Sequence, residues 1–196
     1  MYKVGITGGI GSGKSSVCSL LAAYGVAVYD SDSAAKRLMA ENQELRQRLM
    51  EAFGAECYTD GVLNRAYLAS RVFGNDEQLK LLNSIVHPAV KADFEAWAEQ
   101  QTSPYVVLES AILFESGFDA VVDTTLAVIA PMEERIRRTM ERDGVDREAV
   151  LSRISHQMSD DELHSRATRT MVNILRDYLE SDVEQLHKRY LYESAR

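Results

Sequence analysis

The feature that most constrains this chain is the glycine-rich stretch GGIGSGKSS at residues 8–16. It follows KVGIT at Lys3–Thr7, a short run with the residue types of a β-strand. It continues into KSSVCSLLAAYG at Lys14–Gly25, where apolar residues recur at helical spacing. Four glycines in six positions would leave a loop badly disordered unless something holds it. The sequence therefore predicts a strand, a tight loop around a ligand, and a helix.

The loop has the phosphate-binding pattern G-x-x-x-x-G-K-[ST], formed by Gly8, Gly13, Lys14 and Ser15. In such a loop the backbone N–H groups turn toward an anion, and the positive end of the helix dipole adds to the attraction. We expect Lys14 to reach the β- and γ-phosphates of a nucleoside triphosphate. The hydroxyl of Ser15 is expected to bind Mg²⁺.

Three further apolar runs have the length of strands. They are VAVYD at Val26–Asp30, YVVLES at Tyr105–Ser110 and TTLAVIA at Thr124–Ala130. Continuous apolar runs are typical of strands that are buried on both faces of a parallel sheet. The predicted fold class is therefore α/β, with a parallel β-sheet core that carries the phosphate loop and is flanked by helices.

A polar, helix-rich insert lies between the second and third of these strands, from about residue 31 to residue 102. Its last helix carries Val90, Phe94 and Trp97 on one stripe, which we interpret as core. The final segment of the chain repeats this pattern with Val183 and Tyr190 and predicts an amphipathic helix that closes the core.

After the fourth strand, Pro131 followed by two glutamates starts a helix that runs through Arg142. Asp146 is expected to cap a second helix, and Ser159 with Glu162 forms a capping box for a third. These three helices predict a flap over the core.

The composition limits the partners. With 196 residues, 45% of them hydrophobic, the chain can bury one good core, and its net charge of −8 argues against a general binder of nucleic acid or of anionic membranes. No window approaches the ~20 apolar residues that span a bilayer. The two cysteines, Cys18 and Cys57, form no CxxC pattern, which indicates neither a disulfide framework nor a zinc site and fits a reducing, cytoplasmic setting.

Three classes of nucleotide-binding protein carry such a loop: a GTPase switch, an ATPase motor or regulatory module, and a small-molecule kinase. A GTPase carries DxxG and NKxD sequences, but no glycine here has an aspartate three positions before it, and the nearest match to NKxD lacks the asparagine. A motor ATPase has a longer apolar strand that ends in a magnesium-binding acid, of which Glu109 is a weak version.

Two features favour the kinase. Asp30 and Asp32 follow the second strand, and ligands of open α/β sheets bind beyond the carboxyl ends of strands. We interpret Asp30 as a helix cap. Arg135, Arg138 and Arg142 share one helical stripe with Arg137 beside it, which predicts a cationic face on an acidic protein.

The order of several motifs resembles the dephospho-coenzyme A kinase family over nearly the whole chain. These motifs are GITGGIGSGKSSV, the DSD after the second strand, VHP at Val86–Pro88, ILFE at Ile112–Glu115, RTMERDGV and RISHQ. The resemblance implies transfer of the γ-phosphoryl group of ATP to the ribose 3′-hydroxyl of dephospho-coenzyme A. It also implies a nucleotide-binding core at residues 1–31, 103–132 and 168–196, a helical acceptor-binding domain at residues 32–102, and a lid at residues 133–167.

The resemblance assigns a role to each matching position. Asp32 matches the catalytic aspartate, His87 the histidine of the acceptor domain and Gln157 the glutamine of the lid. Arg138 and Arg142 match lid arginines that act in catalysis together with Lys14. The ATP-binding loop is matched by Gly11, Ser12, Gly13, Lys14, Ser15 and Ser16.

Two segments depart from the family pattern. The usual Pro-Leu-Leu element reads Ala111-Ile112-Leu113, and the usual Ala-Asp before the final strand reads Ala167-Thr168, with no glycine near Asn173. The second departure leaves open the contacts of the C-terminal part, including an adenine pocket.

We expect ATP and Mg²⁺ as cofactors, dephospho-coenzyme A as the partner, and a cytoplasmic monomer with no nucleic-acid or membrane partner, although the sequence carries no direct signal of oligomeric state. A kinase for another small hydroxyl or phosphate acceptor is the alternative.

Overall fold

The computed structural model describes residues 1–174 and 176–196, which form two compact units. One unit comprises Met1–Asp30 and Ala98–Arg196, and the other comprises Ser31–Trp97. The described elements in chain order are β1 (Tyr2–Thr7), α1 (Lys14–Ala23), β2 (Ala27–Asp30), α2 (Ser31–Glu41), α3 (Gln43–Phe53), β3 (Tyr58–Thr59), β4 (Val62–Leu63), α4 (Arg65–Val72), α5 (Asp76–Glu99), β5 (Tyr105–Glu109), β6 (Thr124–Ile129), α6 (Met132–Asp143), α7 (Arg147–Ile154), α8 (Asp160–Arg166), β7 (Arg169–Val172) and α9 (Arg176–Ser194).

The first unit is built on a five-stranded sheet in the order β2-β5-β1-β6-β7, and every neighbouring pair is parallel. The α/β fold class and the four strands indicated by apolar runs are thus confirmed. Because β1 is central, its inner residues Val4 and Ile6 are fully buried. The carboxyl end of β1, where the glycine loop begins, lies between the ends of β5 and β6.

Helices α1 and α9 cover one face of this sheet. Val17 and Leu21 of α1 share a buried cluster with Val183 and Tyr190 of α9, together with side chains of β1, β5 and β6. The predicted closing helix is therefore confirmed. Burying a side chain of this size contributes about 1.5–3 kcal/mol, so the cluster anchors the helix that follows the loop.

Helices α6, α7 and α8 have the termini that the sequence indicated. Asp146 accepts a hydrogen bond from the backbone N–H of Ala149 at 2.8 Å. Ser159 and Glu162 form a complete capping box at the start of α8. Pro131 lies one position before the helix and occupies the N-cap of α6.

The second unit contains α2 to α4, most of α5 and the antiparallel pair β3–β4. Asn42 and Asn64 cap α3 and α4 by accepting backbone hydrogen bonds. The predicted core residues Val90 and Phe94 of α5 are buried. Within the described ranges, no helix combines the length and apolar character that a membrane crossing requires.

Candidate active site

The glycine loop connects β1 to α1 in the first unit. Gly11 and Gly13 have φ angles of 75° and 99°, which favour glycine over other residues. A β-carbon on Gly11 would overlap the backbone of Arg135, and one on Gly13 would overlap the side chain of Asn173. The backbone N–H of Ser12 donates to the carbonyl of Gly9 at 3.1 Å, so the loop is a tight turn.

Helix α1 begins at the end of this loop. The backbone N–H groups of Ser16 and Val17 both donate to the carbonyl of Gly13, at 3.1 and 3.2 Å. No acidic residue lies in the first turn of the helix. The first N–H groups of a helix point out of its end and attract anions. The loop and the start of α1 therefore have the geometry of a phosphate site.

Lys14 folds back over the loop. Its Nζ donates to the carbonyl oxygen of Gly8 at 2.8 Å. This places an ammonium group at the mouth of the loop, where the phosphates of a nucleotide are held in proteins with this motif. The role of Lys14 toward the β- and γ-phosphates stays a prediction.

Ser15 and Glu109 bring two oxygen groups together. The Oγ of Ser15 donates to the Oε1 of Glu109 at 2.9 Å, and Glu109 ends β5 beside Ile6 of β1. Burial raises the pKa of the neighbouring Cys18 thiol, and the carboxylate of Glu109 raises it further. A hydroxyl and a carboxylate are the oxygen donors that Mg²⁺ accepts when phosphates and waters complete its shell. In residues 1–174 and 176–196, no group of three or more His, Cys, Asp or Glu forms a protein-only metal cage.

Arg138 lies beside the loop on α6. Its Nη2 is 3.3 Å from the backbone oxygens of Asn173 and of Ile174. Its Nη1 is buried and has no hydrogen-bond partner among the described residues. That atom lies 3.9 Å from the position of a β-carbon on Gly13. An unsatisfied guanidinium donor next to the loop fits an anionic ligand there.

Asn173 ties the end of β7 to the same loop. Its backbone N–H donates to the carbonyl of Ile129 at 2.8 Å, and its Nδ2 donates to the carbonyl of Ser12 at 2.9 Å. Asn173 is buried. In the sequence, this segment stands out only by the missing glycine near Asn173. The sole signal available was a polar residue directly after a short strand.

Gln157 and Arg135 also contact the loop. The backbone N–H of Ile10 donates to the Oε1 of Gln157 at 2.8 Å, and the Nε of Arg135 donates to the carbonyl of Ile10 at 3.0 Å. Arg135 is only 2% exposed. Arg135 is therefore not part of the cationic face predicted for this helix, because its side chain is buried behind the loop.

Arg142 lies at the end of α6, and its side chain is 61% exposed. Its guanidinium pairs with both carboxylate oxygens of Asp143, at 2.7 and 3.1 Å. Asp143 also accepts from Arg153, and the hydrogen bond from Arg142 lowers the pKa of Asp143 most. The catalytic role of Arg142 stays a prediction.

Asp30 and Asp32 differ in their position along the chain. Asp30 ends β2 opposite Glu109 of β5 and directly precedes α2, where a cap was predicted. Asp32 lies in the first turn of α2, in the second unit, and is exposed. His87 lies in the middle of α5, half-buried, before a proline inside the helix. Burial and the charge of Lys91 lower the pKa of His87.

The parallel sheet, the phosphate loop after its central strand and the helices α6 to α8 define a P-loop kinase. A solved structure from Thermus thermophilus matches with a TM-score of 0.80 and 40% identity, over 98% of this chain and 97% of that one. Shikimate kinase from Bacteroides thetaiotaomicron matches with a TM-score of 0.53 and 13% identity, over 96% and 97% of the two chains. The latter is a likeness of fold.

The sequence comparisons are more specific. The family model described as dephospho-CoA kinase matches residues 2–176. A protein named dephospho-CoA kinase from Salinibacter ruber is 46% identical over 177 residues, which cover 88% of this chain and 89% of that protein. The chain belongs to the dephospho-CoA kinase family, whose reaction is the last step of coenzyme A biosynthesis.

Proposed function

We propose that this chain transfers the γ-phosphoryl group of ATP to the ribose 3′-hydroxyl of dephospho-coenzyme A, giving coenzyme A and ADP. The observation that carries the proposal is the convergence of Lys14, Ser15 and Arg138 on one glycine loop. Phosphoryl transfer is catalysed mainly by positioning and by stabilisation of charge, and these residues supply both.

Two buried atoms at the loop support nucleotide binding there. The Oγ of Ser12 and the Nη1 of Arg138 have no hydrogen-bond partner within the described residues. Polar groups buried without a partner cost about 1–3 kcal/mol each, and a phosphate near them offsets that cost. Lys14 would exchange the carbonyl of Gly8 for phosphate oxygens, because a charged acceptor binds an ammonium more strongly.

Mg²⁺ would be held by Ser15, with Glu109 as the adjacent carboxylate. Bound there with a nucleotide, the ion supplies charge neutralisation on the β- and γ-phosphates. Glu109 would keep the hydroxyl of Ser15 oriented, because the two already form a hydrogen bond of 2.9 Å.

Asp32 would orient the 3′-hydroxyl and accept its proton as transfer proceeds. Arg138 and Arg142 would neutralise charge on the transferring group, and closure of the lid at residues 133–167 would exclude water as a competing acceptor. We assign His87 and Gln157 to the acceptor. Arg142 would have to leave Asp143 to play this part.

The nucleotide base has a candidate position at the end of β7. A pocket of about 320 Å³ is lined by Val172, Asn173, Ile174, Tyr178, Leu179 and Asp182. Ile174 and Tyr178 are exposed apolar side chains, and Asn173 joins the pocket to the phosphate loop. A flat aromatic ring would bury apolar surface there while its phosphates reach the loop.

We further propose the core, acceptor domain and lid with the boundaries given above, and a cytoplasmic monomer. Cys18 and Cys57 are both free and buried, which suits a reducing compartment.

The deciding experiment offers ATP–Mg²⁺ with dephospho-coenzyme A, a nucleoside monophosphate or shikimate in parallel and follows release of ADP. Release with dephospho-coenzyme A alone is expected. Faster release with either other acceptor would make the chain a kinase for that acceptor. Binding of ATP with no release for any acceptor would indicate a regulatory module.

A further inference from the structure

Ile10, at the tip of the phosphate loop, has both of its backbone groups held by side chains from outside the loop. Its N–H donates to Gln157, and its carbonyl accepts from Arg135. These partners lie 147 and 125 positions further along the chain. The conformation of the loop therefore depends on the segment that contains α6 to α8.

Arg135 is held from two sides. While its Nε contacts Ile10, its Nη1 donates to the Oδ1 of Asp160 at 2.9 Å. Asp160 is the first residue of α8, next to the capping box at Ser159. A guanidinium that is 2% exposed is stable only when its charge is paired, so Asp160 fixes Arg135 behind the loop.

Gly9 permits this arrangement. The three heavy atoms nearest to a β-carbon on Gly9 would all belong to the guanidinium of Arg135, and the Nη2 would overlap it. Gly9 has no positive φ angle, so its backbone tolerates alanine. The glycine is needed because Arg135 packs against the back of the loop.

We propose that Arg135 is a positioning residue that fixes Arg138 and the phosphate loop relative to each other. Both arginines lie on α6, three positions apart, and Arg138 faces Gly13 while Arg135 holds Ile10. Fixing the helix against the tip of the loop thus also fixes the distance between Arg138 and the phosphates. In this role Arg135 acts through its contacts with Ile10 and Asp160. This inference rests on the proposed transfer of a phosphoryl group at the loop.

The test is a double-mutant cycle of Gly9→Ala and Arg135→Met, with kcat/KM for ATP as the measured quantity. Misplacement of a catalytic group by a small distance costs up to about 100-fold, so we expect each single variant to lose about 10- to 100-fold. In the Arg135→Met background, the guanidinium that the new methyl would meet is gone. Gly9→Ala should then cost less than about threefold.

A merely structural role of Arg135 would make the effects of the two substitutions independent of each other. If the two losses multiply in the double variant, Arg135 does not act on the loop through Gly9, and the proposal is overturned. The KM for dephospho-coenzyme A should stay within about twofold, because the proposed action of Arg135 is on the phosphate loop. Arg137→Met is the matched control: Arg137 is exposed on the same helix and pairs with Glu134 and Glu141, so parental kinetics are expected.

The thermal shift produced by ATP–Mg²⁺ separates this inference from the proposed function and needs no acceptor. Gly9→Ala retains Arg135, so it reports on the loop even if Arg135→Met does not fold. A smaller shift in Gly9→Ala than in the parent is expected, and an unchanged shift would refute the positioning role. If the parent binds ATP but releases no ADP with dephospho-coenzyme A, the proposed function fails on its own.

Discussion

At the scale of single residues, two aspartates lie at the junction of β2 and α2 and are assigned different roles. Asp30 is the last residue of the strand and Asp32 lies in the first turn of the helix, so the two carboxylates belong to different elements. A cap acts on the helix that it precedes, whereas a general base must reach the substrate. The roles assigned to the two aspartates are therefore separable by mutation.

Asp32→Asn should keep the fold and the affinity for ATP while kcat falls by about 10²- to 10⁴-fold, the usual contribution of a general base. Asparagine has nearly the shape of aspartate but neither its charge nor its basicity. The measurement is steady-state kinetics together with ATP binding. Asp30→Asn is the matched control and should lose much less. Parental transfer by Asp32→Asn, or a larger loss in Asp30→Asn, would move the catalytic role away from Asp32.

Arg138→Lys should lower kcat/KM for ATP by more than about tenfold, although the charge is kept. Arg138 uses one nitrogen for the carbonyls of Asn173 and Ile174 and leaves another beside the loop. Lysine has a single nitrogen and cannot do both. Arg137→Lys provides the comparison, because Arg137 pairs only with glutamates of its own helix in the described contacts. Equal kinetics of Arg138→Lys and Arg137→Lys would show that Arg138 contributes no more than an ordinary exposed charge.

At the scale of elements, short-range sequence patterns predicted the strands and helix caps, because these depend on residues close together in the chain. Four strands and the caps at Asp146 and Ser159 follow from short-range sequence, and all are present. The strand β7 was indicated only by the family resemblance, because RTMV is four residues long and has two polar residues followed by two apolar ones, without the alternation typical of a strand at the edge of a sheet. The hairpin β3–β4 is shorter still, but its two-residue turn is Asp60-Gly61 with positive φ angles at both positions, a strong local hairpin signal that was not used in the prediction.

The parts of the site that escaped prediction depend on long-range packing. Helical spacing correctly placed Arg135, Arg138 and Arg142 on one helix, but it cannot show that the first is buried and the last exposed. The contact between Asn173 and Ser12 joins residues 161 positions apart. No local pattern encodes such a contact, since it depends on the order of strands in the sheet.

Ser159→Ala should lower the free energy of unfolding by about 1 kcal/mol, the usual cost of losing an N-cap side chain. The substitution removes one of the two hydrogen bonds of the capping box at the start of α8. Urea unfolding followed by circular dichroism measures it. Ser165→Ala is the control, because that hydroxyl bonds a carbonyl within its own helix and caps nothing. Equal stability of the two variants would show that the box contributes nothing to the fold.

At the scale of the whole molecule, aromatic rings pack together at the end of the sheet that is remote from the glycine loop. The ring of His187 on α9 stacks on Tyr24 with centroids 4.8 Å apart, and its Nδ1 lies 2.8 Å from the hydroxyl of Tyr105. Burial lowers the pKa of His187 below its ordinary value of 6.5. Packing between the helices and the sheet is therefore coupled to protonation.

Because the pKa of His187 is lowered in the folded protein, protonation of His187 opposes folding. Below pH 6.5 the unfolded chain protonates His187 while the folded chain resists, so stability falls as the pH drops. His187→Gln should lose less free energy of unfolding between pH 7.5 and pH 5 than the parent does, as measured by urea titrations at both values. His156→Gln, at an exposed position, should behave like the parent. An identical pH dependence in all three proteins would exclude His187 as the cause.

The central place of β1 has a consequence for how the protein is made. A ribosome produces the glycine loop early, yet the partners of that loop and its strand are synthesised much later: β5 and β6, then Arg135, Gln157 and Asn173. Contacts between such distant segments form slowly, because long stretches of chain must first be brought together. A nascent chain would thus carry the complete ATP-binding motif without being able to bind ATP until most of the polypeptide has emerged.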